Sequence, residues 1–270
     1  MSDKLAGMAA LIELIETLRG ENGCLWDREQ TAKSMGIYLV EEVYELLEAI
    51  ESDNHVAVCE ELGDVMFHIF FIAGLYKEKG LFDIDNAAKI NTEKMIRRHP
   101  HVYGDSKVNS TKDLRKQWRD IKVKEKKNVT LNSLLDSVPT KLPALLRAYR
   151  ISERAAGSGF DWRDITEVME KAEEEWVEFK EELEKKMAGE NQDTAFTMEF
   201  GDFLFTLVNV ARFGGFHPEA ALREATIKFE KRFKLMEKNV SNKGKSFESL
   251  SRNEMDKLWN EAKEIINFIK

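Results

Sequence analysis

Glu42 and Glu45 stand three residues apart, so on any helix they share a face. Glu61 and Asp64 repeat the spacing a short way downstream. Apolar residues surround both pairs: Ile37, Leu39, Val40, Val43, Leu46 and Leu47 around the first, Leu62, Val65, Met66 and Phe67 around the second. The expectation is four carboxylates converging between two largely buried helices. Buried charges of one sign repel and are costly to desolvate. A divalent cation is the simplest remedy, and an all-oxygen ligand set suits Mg²⁺, with Mn²⁺ as a substitute. The set recurs later as Glu174, Glu175 and Glu178, followed by Glu199 and Asp202. One occurrence would be suggestive; two with matching neighbours point to a duplicated metal cradle.

Cations and tryptophans follow each acidic set in the same order. Lys94 and Arg98, then Lys228 and Arg232, stand four apart on one helical face, and Trp-x-x-x-Lys closes each half as Trp118 with Lys122 and Trp259 with Lys263. Metals and cations together fit a polyphosphate, and a tryptophan can stack on a base. The chemistry this implies is attack of a metal-activated water on phosphorus, without a covalent nucleophile. Glu174 and Glu175 are both candidates for a general base. Gly244-Lys245-Ser246 is not a phosphate loop, because Asn239 stands where that motif needs glycine and no strand precedes it.

The elements that must carry these residues read almost entirely as helix. Apolar periodicity places helices over 8–19, 34–51, 56–79, 85–98 and 111–127, then 142–156, 167–187, 194–213, 218–239 and 250–269. Residues 20–30 and 157–162 read as loops, and no run of alternating β-branched residues predicts a strand. Two of the four prolines, Pro139 and Pro143, fall in 128–143. The fold expected is all-α: two tandem helical-bundle domains from an internal duplication, 1–127 and 144–270, joined by 128–143.

The 270 residues are 43% hydrophobic, enough for one or two packed domains, and carry a formal net charge of −8. That charge argues against binding a nucleic-acid polymer, though not against a small phosphorylated substrate. Two cysteines, Cys24 and Cys59, give no disulfide framework. The N-terminal segment is amphipathic and not a signal sequence, and 65–76 is too short to span a bilayer. A cytoplasmic protein without membrane association is expected.

With these residues in place, the chain resembles the MazG nucleoside triphosphate pyrophosphohydrolases of the all-α NTP pyrophosphatase superfamily. The signature Glu-Glu-x-x-Glu, a gap, then Glu-x-x-Asp is met by Glu41, Glu42, Glu45, Glu61 and Asp64, and again by Glu174, Glu175, Glu178, Glu199 and Asp202. The likeness extends through Gly23-Cys24-Leu25-Trp26-Asp27-Arg28-Glu29-Gln30, His99-Pro100-His101-Val102 and Val138-Pro139-Thr140-Lys141-Leu142-Pro143, close to the full chain. Leu25 replaces a proline usual in the family, which alters a turn and not a ligand. The resemblance implies Mg²⁺-dependent hydrolysis between the α- and β-phosphates of ribo- and deoxyribonucleoside triphosphates, broad house-cleaning specificity, and a homodimer. It assigns metal binding to Glu175, Glu178, Glu199 and Asp202, and phosphate contact to Lys228 and Arg232. Trp259 and Lys263 would close the nucleotide pocket. The first-half counterparts are Glu42, Glu45, Glu61, Asp64, Lys94, Arg98, Trp118 and Lys122, with no ligand position lost.

Plainer readings stand beside these. Acidic pairs three apart are ordinarily a solvated helix face, as Glu41, Glu48, Glu181, Glu182 and Glu184 are expected to be. The cation pairs taken alone would be surface charges, and the tryptophans could be core. His68 reads as a hydrogen-bonded core residue, His99 and His101 as a helix end, and Cys24 as a packed loop residue. A di-iron carboxylate bundle would need Glu-x-x-His on two helices, and none of the five histidines meets it. A helical dimerisation or interaction module, with one or both sites inactive, is the alternative from a different class.

Overall fold

The protein is described by a computed structural model over residues 6–108, 110, 113–114, 117–118, 121, 125, 133–189 and 193–268, with 267–268 as backbone only. It divides into two compact units, Met1–Lys127 and Asn128–Lys270. The described residues form helices and no strand. None of those helices is long and apolar enough to cross a membrane.

In the first unit the order is α1 (Ala6–Arg19), α2 (Leu25–Glu29), α3 (Ala32–Glu51), α4 (His55–Glu78), α5 (Ile84–Arg98) and α6 (Pro100–Tyr103). Local chemistry sets these boundaries. The Thr31 hydroxyl accepts from Ser34 N at 3.2 Å and Ser34 Oγ accepts from Thr31 N at 3.0 Å, a reciprocal cap that starts α3. Asn54 caps α4 by accepting from Ala57 N, and Asp83 caps α5 reciprocally with Asn86, each satisfying an orphan N–H of the first turn. Only Ser52, Asp53 and Asn54 connect α3 to α4, with Asp53 at φ 53°, so the two helices pack side by side as a hairpin. The helix α1 lies against α4, and Ile15, Met35, Phe71 and Leu75 are buried together there. Arg19 locks the ends of α1 and α4 through Glu78, with Nε–Oε1 2.5 Å and Nη2–Oε2 2.7 Å. That pairing holds the Glu78 carboxyl below the usual range.

The second unit opens with a 3₁₀ turn, Leu134–Ser137, and continues with α7 (Ala144–Gly157), α8 (Ile165–Met187), α9 (Asp193–Gly214) and α10 (Pro218–Asn242). A second 3₁₀ turn, Phe247–Ser249, leads to α11 (Arg252–Phe268). The Asp164 carboxylate caps α8 through Thr166 N and Glu167 N. The helices α8 and α9 pair as α3 and α4 do, α7 packs on α9, and α10 packs on α11. Gly215, at φ +76°, takes the left-handed conformation that ends α9. Met236, Val240, Leu258 and Ala262 bury themselves between α10 and α11.

Three expectations are corrected. The stretch 20–30 is not wholly loop: α2 interrupts it, backed by Arg19 Nη1 donating to the Asp27 carbonyl. The acidic hairpins are not largely buried: Ile37, Val40, Val43 and Leu62 are exposed, as are Leu204, Phe205 and Leu207 of α9. Cys24 is exposed and not packed. Most of 111–127, including Lys122, lies outside the described residues.

Candidate functional site: paired acidic hairpins

Each hairpin gathers three carboxylates. In the first unit, one oxygen from each of Glu42 and Glu45 on α3 and Glu61 on α4 lies within 4.8 Å of the others. In the second, Glu175 and Glu178 on α8 and Glu199 on α9 meet the same condition. The spacing explains the convergence: Glu42–Glu45 and Glu175–Glu178 each line one helical face, and the hairpin partner adds one acid opposite. Asp64 and Asp202 are exposed and stand outside these triads, so three of the four predicted ligands converge in each unit.

The electrostatics are those of crowded acids. Desolvation holds the Glu42 carboxyl above its ordinary range, reinforced by Glu45 and Asp64 and opposed by His68. Glu61 is raised by desolvation, then by Glu45, Asp64 and Glu42. Glu199 is raised by desolvation, then by Glu178, Asp202 and Glu175. Asp64 and Asp202 are therefore near enough for their charge to be felt. Glu61 Oε2 is buried and has no hydrogen-bond partner. A carboxylate oxygen left so is costly unless a cation meets it. An all-oxygen triad with an orphaned buried oxygen fits a small hard divalent ion.

The two triads differ in one cation. Lys171, one turn before the acids on α8, places its Nζ 2.8 Å from Glu174 Oε1 and 3.0 Å from Glu175 Oε1. Glu175 is only 7% exposed. Hydrogen bonds to Glu174 and then Glu175 hold the Lys171 ammonium above the usual lysine range. Glu174 itself is exposed. Among the described residues no ion pair reaches Glu42, Glu45, Glu61 or Asp64. His68, whose charge is felt at Glu42, is buried there, with Nδ1 2.9 Å from the Asp64 carbonyl. Lys171 was absent from the sequence-derived set; its place three and four residues before two glutamates was the signal.

The downstream cations fare unequally. Arg232 on α10 sits over the Trp259 ring of α11, 5.7 Å from its centroid. Lys228 is exposed, and Lys263 is half-buried on α11. In the first unit Arg98 is held by Glu125, with Nη2–Oε2 2.6 Å and Nε–Oε2 2.9 Å, and Arg97 joins the same carboxylate. Lys94 is half-buried on α5. Trp118 packs edge-on against His99, centroids 5.2 Å apart.

A family model described as the MazG nucleotide pyrophosphohydrolase domain matches residues 30–103. The chain is 44% identical to the nucleoside triphosphate pyrophosphohydrolase/pyrophosphatase MazG of Thermotoga maritima, over 94% of each chain. It is 36% identical to the nucleoside triphosphate pyrophosphohydrolase of Escherichia coli K12, over 94% of this chain and 95% of that one. An uncharacterised protein of Bacillus subtilis, YabN, is 46% identical over 93% of this chain, which spans 50% of the YabN length.

Proposed function

From the premise that this chain belongs to the MazG family and is a nucleoside triphosphate pyrophosphohydrolase, we propose that it cleaves NTPs and dNTPs with Mg²⁺. Water adds to the α-phosphorus, the bond to the bridging α–β oxygen breaks, and a nucleoside monophosphate and pyrophosphate leave. The observation that carries the metal requirement is the orphaned Glu61 oxygen in a triad of carboxylates, a pattern of acids that the second unit repeats. Glu42, Glu45 and Glu61 would hold the ion in one unit and Glu175, Glu178 and Glu199 in the other, with Asp64 and Asp202 beside them. Bound there, Mg²⁺ supplies Lewis acidity toward the phosphates and the attacking water.

The chain's own residues do the rest. Glu174 adjoins its triad without belonging to it, so it can take the proton from water while Glu175 keeps to the ion. Lys228 and Arg232 neutralise the leaving pyrophosphate. Trp259 offers a ring face to the base, with Lys263 one turn further on. Stacking is tolerant of base identity, which supports broad specificity. A cytoplasmic location, with the nucleotide pool, belongs to the same reading. The exposed apolar residues of both hairpins support a homodimer, because a patch of that kind ordinarily covers itself.

One observation favours a second reading for the first unit. Arg98 is held by Glu125, which draws it away from a phosphate, so that copy could serve association alone. The deciding experiment incubates the purified chain with Mg²⁺ and each nucleoside triphosphate and separates the products by anion exchange. Monophosphate with pyrophosphate is expected; diphosphate with orthophosphate would mean a different phosphohydrolase. Running Glu45→Ala and Glu178→Ala beside it identifies the working copy.

A further inference from the structure

Lys171 has no counterpart in the first unit. Counting from the paired glutamates, it stands three residues before Glu174, and Tyr38 stands three residues before Glu41. Tyr38 offers a phenol in place of an ammonium and rests among rings, its centroid 5.7 Å from that of Trp26 and 6.3 Å from that of His68. Lys171 instead touches Glu175, the most buried acid of the two triads.

We propose that the two metal sites load unequally, because the Lys171 ammonium occupies the Glu175 carboxylate that the second unit would offer to a divalent cation. The inference rests on the metal-binding reading given above. The argument is competition. A cation entering the second triad meets an acid already held in a charge-assisted contact and an ammonium beside it, so part of its binding energy is spent. A cation entering the first triad displaces no protein cation among the described residues and meets an oxygen that lacks any partner. The first unit is therefore the tighter divalent site and the second the weaker. Lys171 also stabilises the second hairpin before metal arrives, a role that the first hairpin leaves to the ion.

The test uses Mn²⁺ as the probe and the full chain. Free Mn²⁺ is counted by its electron paramagnetic resonance signal during titration, without nucleotide. Wild type is expected to show two classes of site; Glu42→Gln removes the tight class and Glu175→Gln the weak one. In the Glu42→Gln chain, Lys171→Met tightens the remaining site about tenfold, since one charge-assisted contact no longer has to be broken. Lys171→Gln does the same, and circular dichroism of each variant checks that the helices persist. Tyr38→Lys, in the Glu175→Gln chain, weakens the first site. Unchanged Mn²⁺ affinity on replacing Lys171, with the weak class still abolished by Glu175→Gln, overturns the proposal while leaving the metal reading intact. Mn²⁺ binding that neither Glu42→Gln nor Glu175→Gln reduces overturns both.

Discussion

Asp64 and Asp202 lie at the rim of their triads, exposed, yet their charge raises the proton affinity of Glu61 and Glu199. A residue in that position would matter to a bound ion and little to the fold. Asp202→Ala is therefore expected to lower kcat by roughly 10²-fold, since metal-dependent charge stabilisation is worth several kcal/mol. Its melting temperature should barely move, as for surface substitutions generally. Near-normal turnover would refute the role. Trp259 calls for more care, because it also packs on the cluster around Leu258 and against Phe229. Trp259→Leu keeps most of that packing and removes the stacking face; KM should rise about tenfold for several nucleotides while kcat changes less. The acids were legible because helical spacing alone puts Glu42 with Glu45 and Glu175 with Glu178. Lys171 was not, since a lysine among glutamates reads as one more solvated charge until Glu175 is known to be buried. Glu182 misled in the same way: expected on a solvated face, its side chain is 16% exposed and bonded to Lys185.

At the level of elements, α11 begins with a cap that doubles as a titrating switch. Glu254 Oε2 accepts from Ser251 N at 2.9 Å and from Ser251 Oγ at 2.8 Å, and Lys245 Nζ lies 3.1 Å from Oε1. These bonds favour the carboxylate and lower its pKa from 4.5 to about 2. A depressed carboxyl stabilises the fold above its unfolded pKa and loses that contribution as the pH falls through its folded value. The melting-temperature gap between wild type and Glu254→Gln should thus be full at neutral pH and close as pH approaches 2. A gap independent of pH would show that the charge is immaterial. Long helices such as α4 and α8 were readable from apolar periodicity, while their caps, Asn54 and Asp164, are findings of the structure. The helix α2 was not, because five residues are too few for a period and Cys24 offers no side-chain cap. Contacts from Arg19 set its place, and those are tertiary.

For the molecule as a whole, the sequence could count apolar residues but not say which of them this chain buries. Ile37 and Val40 on α3 and Leu204 and Phe205 on α9 looked like core and are exposed. Association of two copies would cover such faces, and burying each large side chain there would contribute about 1.5–3 kcal/mol. Light scattering should give twice the chain mass for wild type, and the double variant Ile37→Glu, Leu204→Glu should run as a monomer with its helix content intact. A monomeric wild type would end the dimer reading. The repeated pattern, by contrast, was plain in the sequence: two acidic sets, each followed by a Lys–Arg pair and a tryptophan. Two like triads also make any bulk signal ambiguous, because both answer at once. The thiols resolve this. Cys24 and Cys59 are exposed, are the chain's two cysteines, and both belong to the first unit. With Cys24→Ser, a maleimide fluorophore goes to Cys59 alone, two residues before Glu61. Quenching of that dye by paramagnetic Mn²⁺ would report occupancy of one copy while the other stays dark.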